Sequence, residues 1–217
     1  MKISNYYENY WSQLENNKHE GHAVNVPEWS QKEIRTFYNS IERYVGKTVL
    51  DLGAGEGTFA NFLKNNCLRV KNISALEISQ NAIKKGKGNY SWLNYIQGSA
   101  DDVFPFKDNQ FDTIFMLDVI EHLVDIDTSL SECWRVLKKG GKLILITPDF
   151  NFIKKLIVAL IYWEKMFYPN NPHIRFFTRK SMKNIMQKHK FKEVFYKWGL
   201  NWFRMMPQNM YTVYEKK

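Results

Sequence analysis

Seven short apolar runs recur along the chain, at residues 47–52, 70–77, 92–97, 111–117, 141–147, 191–198 and 209–215. Runs of this length, bounded by glycine, asparagine, proline or charge, read as strands. Between the first five lie stretches with helical spacing. Strand and helix in alternation predict an α/β, Rossmann-like doubly wound sheet whose strands are buried on both faces. No internal repeat or low-complexity linker interrupts the pattern, and Gly86-Lys-Gly-Asn89 reads as an ordinary loop. The chain is therefore expected to be one domain over residues 1–217. Its parts are an N-terminal helical cap (1–46), a core (47–150), an insertion and helix (151–190) and two final strands (191–217).

The first strand carries the chemistry. Val-Leu-Asp51-Leu-Gly53-Ala54-Gly55-Glu-Gly57 is an apolar run ending in an acid and a glycine loop, with the helical stretch Thr58 to Leu63 behind it. Glycines at alternate positions permit backbone angles and ligand approach that a Cβ would block, and the loop opens onto a helix N-terminus. Glu77 ends the next strand, where a carboxylate can bind ribose hydroxyls. Charge narrows the ligand. Thr58 stands where a dinucleotide fingerprint needs its third glycine, and no phosphate-loop motif occurs. Asp51 would repel a pyrophosphate but suits a ligand bearing an ammonium and a sulfonium.

These residues resemble the class I S-adenosylmethionine-dependent methyltransferases, over roughly residues 45–150. Asp51 to Gly57 resembles the family's first motif and Glu77 its ribose acid. Gly98-Ser99-Ala100-Asp101-Asp-Val-Phe-Pro-Phe106 resembles the segment flanking adenine, and Phe111 to Asp118 the fourth strand, which ends beside the methyl group. Trp134 to Pro148 resembles the next helix and strand. The resemblance implies S-adenosylmethionine as cofactor. It would be held by Asp51, Gly53, Ala54, Gly55, Gly57, Glu77, Ile78, Ser99, Ala100, Asp101, Leu117 and Asp118. Many relatives have an acid where this chain has Ser99, so the adenine contact is expected to fall to Asp101 or to backbone. The last two strands are expected to form the family's antiparallel edge hairpin.

Asp118-Val-Ile-Glu121-His122-Leu looks like the E-x-x-E-H stretch of ubiquinone-pathway O-methyltransferases and small-RNA ribose methyltransferases, which hold a divalent cation there. A helix beginning after the fourth strand would set Asp118 against Glu121 and His122 at i+3 and i+4. His173 resembles the second histidine that some of these enzymes place opposite. Asp118, Glu121, His122 and His173 are thus the candidate metal set, for Mg²⁺, and His122 and His173 the candidate bases. His19 and His22 read as an exposed loop.

Composition adds partners. A chain of 217 residues, 44% hydrophobic, can bury a core without disulfides, and Cys67 and Cys133 are its only cysteines. With a polar N-terminus, that predicts a cytoplasmic protein. Residues 151–217 hold fourteen Lys and Arg against three acids, a net +11, whereas residues 1–150 are nearly balanced at seventeen against nineteen. A basic half attracts polyanions, nucleic acid or an anionic bilayer surface, and anionic small molecules. The segment Phe152 to Tyr168 is strongly apolar, yet its uninterrupted run Leu156–Trp163 is too short to span a bilayer. It suits an interfacial position, a greasy acceptor pocket, or a lid packed on the domain or on a second subunit. Tyr6, Tyr7, Tyr10 and Trp11 are candidates for the substrate mouth. The expected acceptor is a small or lipid-associated molecule with a hydroxyl or amine. An RNA ribose 2′-hydroxyl and a noncatalytic cofactor-binding role are the alternatives.

Overall fold

A computed structural model describes residue 8 and residues 31–167, 173–199 and 209–217. The expectations for Tyr6, Tyr7, Tyr10, Trp11, His19 and His22 lie outside the described residues. Helix α1 (Gln31–Ile41) leads into β1 (Thr48–Leu52), α2 (Thr58–Asn66), β2 (Asn72–Glu77), α3 (Gln80–Asn89) and β3 (Asn94–Gln97). Then follow β4 (Phe111–Leu117), α4 (Ile126–Val136) and β5 (Leu137–Pro148). A helical run comes next, α5 (Phe152–Ile157), a π-helical turn (Val158–Tyr162) and α6 (Trp163–Met166). The chain closes with α7 (Arg179–Lys188), β6 (Phe191–Trp198) and β7 (Asn209–Lys216).

The seven strands form one sheet in the order β3-β2-β1-β4-β5-β7-β6. The first five are parallel, while β7 runs antiparallel to both β5 and β6. This is the expected Rossmann-like α/β architecture with its antiparallel pair. Strand order reverses between β1 and β4, so the carboxyl ends of β1, β2 and β4 open onto a crevice at that switch point.

Alternation within each strand builds two cores. Leu50, Leu52, Ile114, Met116, Leu143 and Leu145 face one side, packed under α4 and α7. Val49, Phe115, Ile144, Ile146 and Val213 face the other, under α1 and α2. Helix α1 buries Ile34, Phe37, Tyr38 and Ile41, the i, i+3, i+4, i+7 stripe of an amphipathic helix.

Three local expectations change. Gly86 and Gly88 lie in α3 rather than in a loop. A Cβ at Gly86 would sit 2.0 Å from the Tyr95 hydroxyl and 2.9 Å from the Glu56 carbonyl, so this glycine permits close packing instead of a turn. Strand β5 begins at Leu137, before the glycine pair. Leu137 pairs with Phe111, the register shifts, and the ladder resumes at Lys142 opposite Thr113. Gly140, at φ +73°, takes the left-handed backbone that this bulge requires. After β4, the backbone makes only a 3₁₀ turn (Ile120–His122), and helix α4 waits for Asp125, whose side chain caps it by accepting from Thr128 N.

Candidate cofactor and acceptor site

The glycine loop is anchored across the sheet, with Gly53 N and Ala54 N both donating to Leu76 O at 2.8 and 3.3 Å. Gly53, Gly55 and Gly57 all adopt positive φ, at +72°, +53° and +82°. Gly57 sits at the N-cap of α2 in left-handed backbone, and a Cβ there would meet the Tyr95 hydroxyl at 2.3 Å. Asp51, near the end of β1, is 3% exposed, and its Oδ2 has no hydrogen-bond partner among the described residues. Burial, and then the charge of Glu77, push its pKa up to about 7. Glu77 is likewise buried. Its two oxygens accept from Gly55 N (2.8 Å) and Ser79 N (2.9 Å), which oppose the upward push of burial. Each oxygen keeps a lone pair for a further donor. Two buried acids with an unpartnered oxygen between strand tips form a pocket that a cation would complete.

One contact was not legible in advance. The Glu8 carboxylate accepts from Ser79 Oγ (3.1 Å), Gln80 N (2.5 Å) and Asn81 N (3.4 Å) at the N-terminus of α3, and its charge adds to the upward push on Glu77. Glu8 is thus placed at the start of α3, close to Glu77. Of the residues expected to flank adenine, Ile78 and Ala100 are half-buried. Ser99 Oγ accepts from Asp101 N (3.0 Å), and Asp101 Oδ1 accepts from Asp125 N (2.7 Å), so one oxygen of Asp101 is engaged in tying this loop to the start of α4.

The second group of candidate residues lies at the end of β4. Leu117 and Asp118 are half-buried, and Asp118 takes φ +53° while its N donates to Ile146 O. The ligand atoms of Glu121, His122 and His173 lie within 4.8 Å of one another. Asp118, expected in the same set, is not part of it. It precedes the 3₁₀ turn in left-handed backbone, so the i+3 and i+4 spacing of an α-helix does not apply. Its charge still reaches Glu121, whose pKa burial and Asp118 together raise. Glu121 is 1% exposed, with Oε2 accepting from Thr147 Oγ1 at 3.1 Å and Oε1 lacking a protein partner. The imidazoles of His122 and His173 stand 4.8 Å apart, and burial, then the charges of His122 and Lys154, lower His173 to about 4. It is neutral at pH 7.

His173 reaches His122 across 51 positions of chain because the intervening segment returns to the turn. Ile174 N and Arg175 N both donate to Glu121 O at 3.1 Å, and the Arg175 guanidinium donates to Leu123 O and Val124 O at 2.8 and 2.6 Å. Arg175 and Thr147 are site-building residues that carried no sequence signal. Asp149, past the end of β5, is 2% exposed. Burial raises its pKa, and the Lys154 charge opposes that. Arg179, three residues after Phe176, is not at the site. It bridges Glu193 at 2.8 Å and lies over the Tyr196 ring, joining α7 to β6.

One carboxylate with two imidazoles is a mixed donor set. It suits an imidazole-binding ion such as Mn²⁺ or Zn²⁺ better than Mg²⁺, which prefers oxygen. The expectation of Mg²⁺ is therefore not supported by the donor chemistry.

A switch-point crevice, a glycine loop and two buried acids at adjacent strand tips are features of a nucleoside-binding α/β fold. Residues 50–145 match the family model described as a methyltransferase domain. The chain is 33% identical over 114 residues to the ubiquinone/menaquinone biosynthesis C-methyltransferase UbiE of Xylella fastidiosa, covering 50% of this chain and 45% of that protein. It spans about half the length of the curated relatives it matches. Among solved structures, a chain from the complex of the Haloferax volcanii Trm112 methyltransferase activator superposes with TM-score 0.77 at 12% identity, over 99% of this chain and 97% of that one. A SAM-dependent methyltransferase of Thermotoga maritima gives TM-score 0.66 at 20% identity, over 99% and 100%. Residues 50–145 thus carry a methyltransferase domain, on a fold that the chain shares with S-adenosylmethionine-dependent methyltransferases.

Proposed function

We propose that this protein transfers the methyl group of S-adenosylmethionine to a small or lipid-associated acceptor bearing a hydroxyl or amine. S-adenosylmethionine, when bound, supplies an electrophilic methyl carbon on a sulfonium. Asp51 and the glycine loop hold its cationic methionine end, Glu77 takes its ribose, and Ser99, Ala100 and Asp101 border the adenine. The unpartnered, buried Oδ2 of Asp51 is the fit for a positive ligand.

The acceptor enters beside β4. The observation that carries this reading is the half-buried, close pair His122 and His173, with His173 neutral at pH 7. A neutral imidazole there takes the acceptor's proton as the new bond to carbon forms and the carbon–sulfur bond breaks, S-adenosylhomocysteine being the other product. Deprotonation of an aromatic hydroxyl also raises the nucleophilicity of the ring carbon beside it. One base therefore serves oxygen or carbon as the methylated atom, and the quinone C-methyltransferases among the relatives support a phenolic acceptor. Alignment and exclusion of water supply the rest of the rate.

A second reading has one observation in its favour, the unpartnered Oε1 of Glu121. In that reading Glu121, His122 and His173 hold a divalent cation that polarises the acceptor oxygen, and the histidines are ligands instead of bases. Turnover measured after chelation, with Mn²⁺, Zn²⁺ or Mg²⁺ restored, separates the two: unchanged turnover in chelator removes the metal. A labelled-methyl screen of lipid, metabolite and RNA extracts tests the acceptor class. Label in lipid or small-metabolite fractions supports the proposal, and label confined to RNA replaces it. Calorimetric titration with S-adenosylmethionine tests the whole reading, which fails if no binding heat appears.

A further inference from the structure

Residues 152–167 present an apolar surface to the outside. The run from Phe152 to Met166 is about 22 Å long at 1.5 Å per residue, short of a bilayer's hydrocarbon core of about 30 Å. Among the described residues, no helix is long and apolar enough to cross a membrane. Yet Phe152 is 78% exposed, Leu160 74% and Ile161 72%, and Ile153, Leu156, Trp163 and Phe167 are exposed with them. Exposed apolar side chains thus recur through the whole run, on both sides of the π-helical turn. Val158 is the buried hydrophobic residue of this run, and Lys154 lies over the Phe150 ring on the domain side. A helix that used its apolar stripe to pack on its own domain would show the reverse pattern.

Charge selects the partner. In this run Lys155 is exposed, Lys154 lies over Phe150, and the sequence of the run holds three lysines against one acid, Glu164, within a C-terminal stretch of net +11. A second copy seated on this face would set that charge against itself, whereas anionic lipid headgroups neutralise it. Tyr162, Trp163 and Phe167 add aromatic side chains of the kind that settle at headgroup depth. Trp198, 55% exposed at the carboxyl end of β6, and Ile174, 52% exposed beside His173, lie at the same edge of the sheet as the site.

An aromatic row joins this face to the acceptor side. Trp163 and Phe167 have ring centroids 4.4 Å apart, Phe167 and Phe176 5.2 Å, and Phe176 and Phe150 4.6 Å. Phe150 lies two residues past the end of β5, and Phe176 is three residues past His173. We propose that residues 152–167 seat the protein on an anionic bilayer surface, and that the row from Trp163 to Phe150 guides a membrane-dissolved acceptor toward His122 and His173. The second half rests on the methyl-transfer reading above. The first half does not.

The test is flotation of the full chain with vesicles of phosphatidylcholine alone or with about 30% phosphatidylglycerol, for the wild type, Lys155→Glu and Leu160→Glu/Ile161→Glu. Expected is a preference for the anionic vesicles that weakens with salt. It should fall about tenfold or more in the double variant and less in Lys155→Glu. Calorimetric affinity for S-adenosylmethionine should match wild type in both variants, which reports folding and the cofactor reading separately from the membrane. A wild type left in the soluble fraction with both vesicles overturns the proposal. So does a double variant that floats like wild type, or a dimer in analytical ultracentrifugation that the double variant dissociates.

Discussion

Replacing Asp51 with Asn should make the empty protein more stable and its cofactor binding worse. The carboxyl is buried, and burial together with Glu77 lifts its pKa from 3.8 to about 7. A carboxyl raised in the folded state favours folding fully while it is neutral in both states, below about pH 4, and loses that advantage as pH climbs through 7. The shift is roughly 3 units, so keeping the ionised carboxylate in place above pH 7 costs the wild type about 4 kcal/mol as an upper bound, at 1.36 kcal/mol per unit. Asn has the same shape and no charge, and therefore does not incur that penalty. At pH 8 the ligand-free variant should melt several degrees higher than wild type, at roughly 2–4 °C per kcal/mol for a chain of this size, and the difference should shrink as pH falls and vanish below about pH 4. S-adenosylmethionine offsets the penalty by bringing a positive charge. Its stabilisation of wild type should therefore grow from pH 5 to pH 8, while the variant's affinity falls about tenfold or more, the scale of a lost charge-assisted hydrogen bond. Thermal melts across that pH range with and without the cofactor, paired with calorimetry, measure both effects. Equal melting of the two proteins at pH 8, or wild-type affinity in the variant, would refute the idea that an uncompensated buried charge is the binding determinant.

Other substitutions probe the neighbouring links. Gly86→Ala adds a methyl against the Tyr95 hydroxyl and the Glu56 carbonyl, and should destabilise by about 1–3 kcal/mol in urea titration even though Ala is the better helix former; unchanged stability would show that the helix relaxes freely. His173→Ala should lower turnover about 10²-fold or more with cofactor affinity retained, and an equal fall in both would assign it a packing role. Asp112, held near a pKa of about 2 chiefly by Lys138 and Thr48 against the opposing effect of burial, stabilises the fold above its unfolded value near 4 and ceases to do so as pH falls toward 2. Asp112→Asn should therefore lower the melting point at pH 7 and match wild type near pH 2, a convergence that acid melts would reveal.

Much of the cofactor half was readable from local pattern. The period-two apolar runs, the glycine loop and the acids Asp51 and Glu77 are set by neighbours in sequence, because strand alternation, positive φ and strand tips are short-range properties. The acceptor half was less readable. Glu121 and His122 announced themselves as adjacent ligating residues, but the turn that carries them is 3₁₀ instead of α. Asp118 therefore stands outside the cluster in which a helix would have placed it.

Sequence alone determined that this chain would build a parallel α/β sheet and leave two carboxylates at adjacent strand ends. Only the tertiary structure decided which distant segments complete the site. His173 meets His122 because backbone donors at 174 and 175 find the free carbonyl of Glu121. Glu8 reaches the start of α3 because a helix N-terminus offers unpaired amides to a carboxylate from anywhere in the chain. The apolar face of 152–167 points outward because the sheet's two cores are already filled by other helices. Contacts of this kind depend on which groups remain unsatisfied after the sheet has closed, and that remainder is a property of the packed molecule.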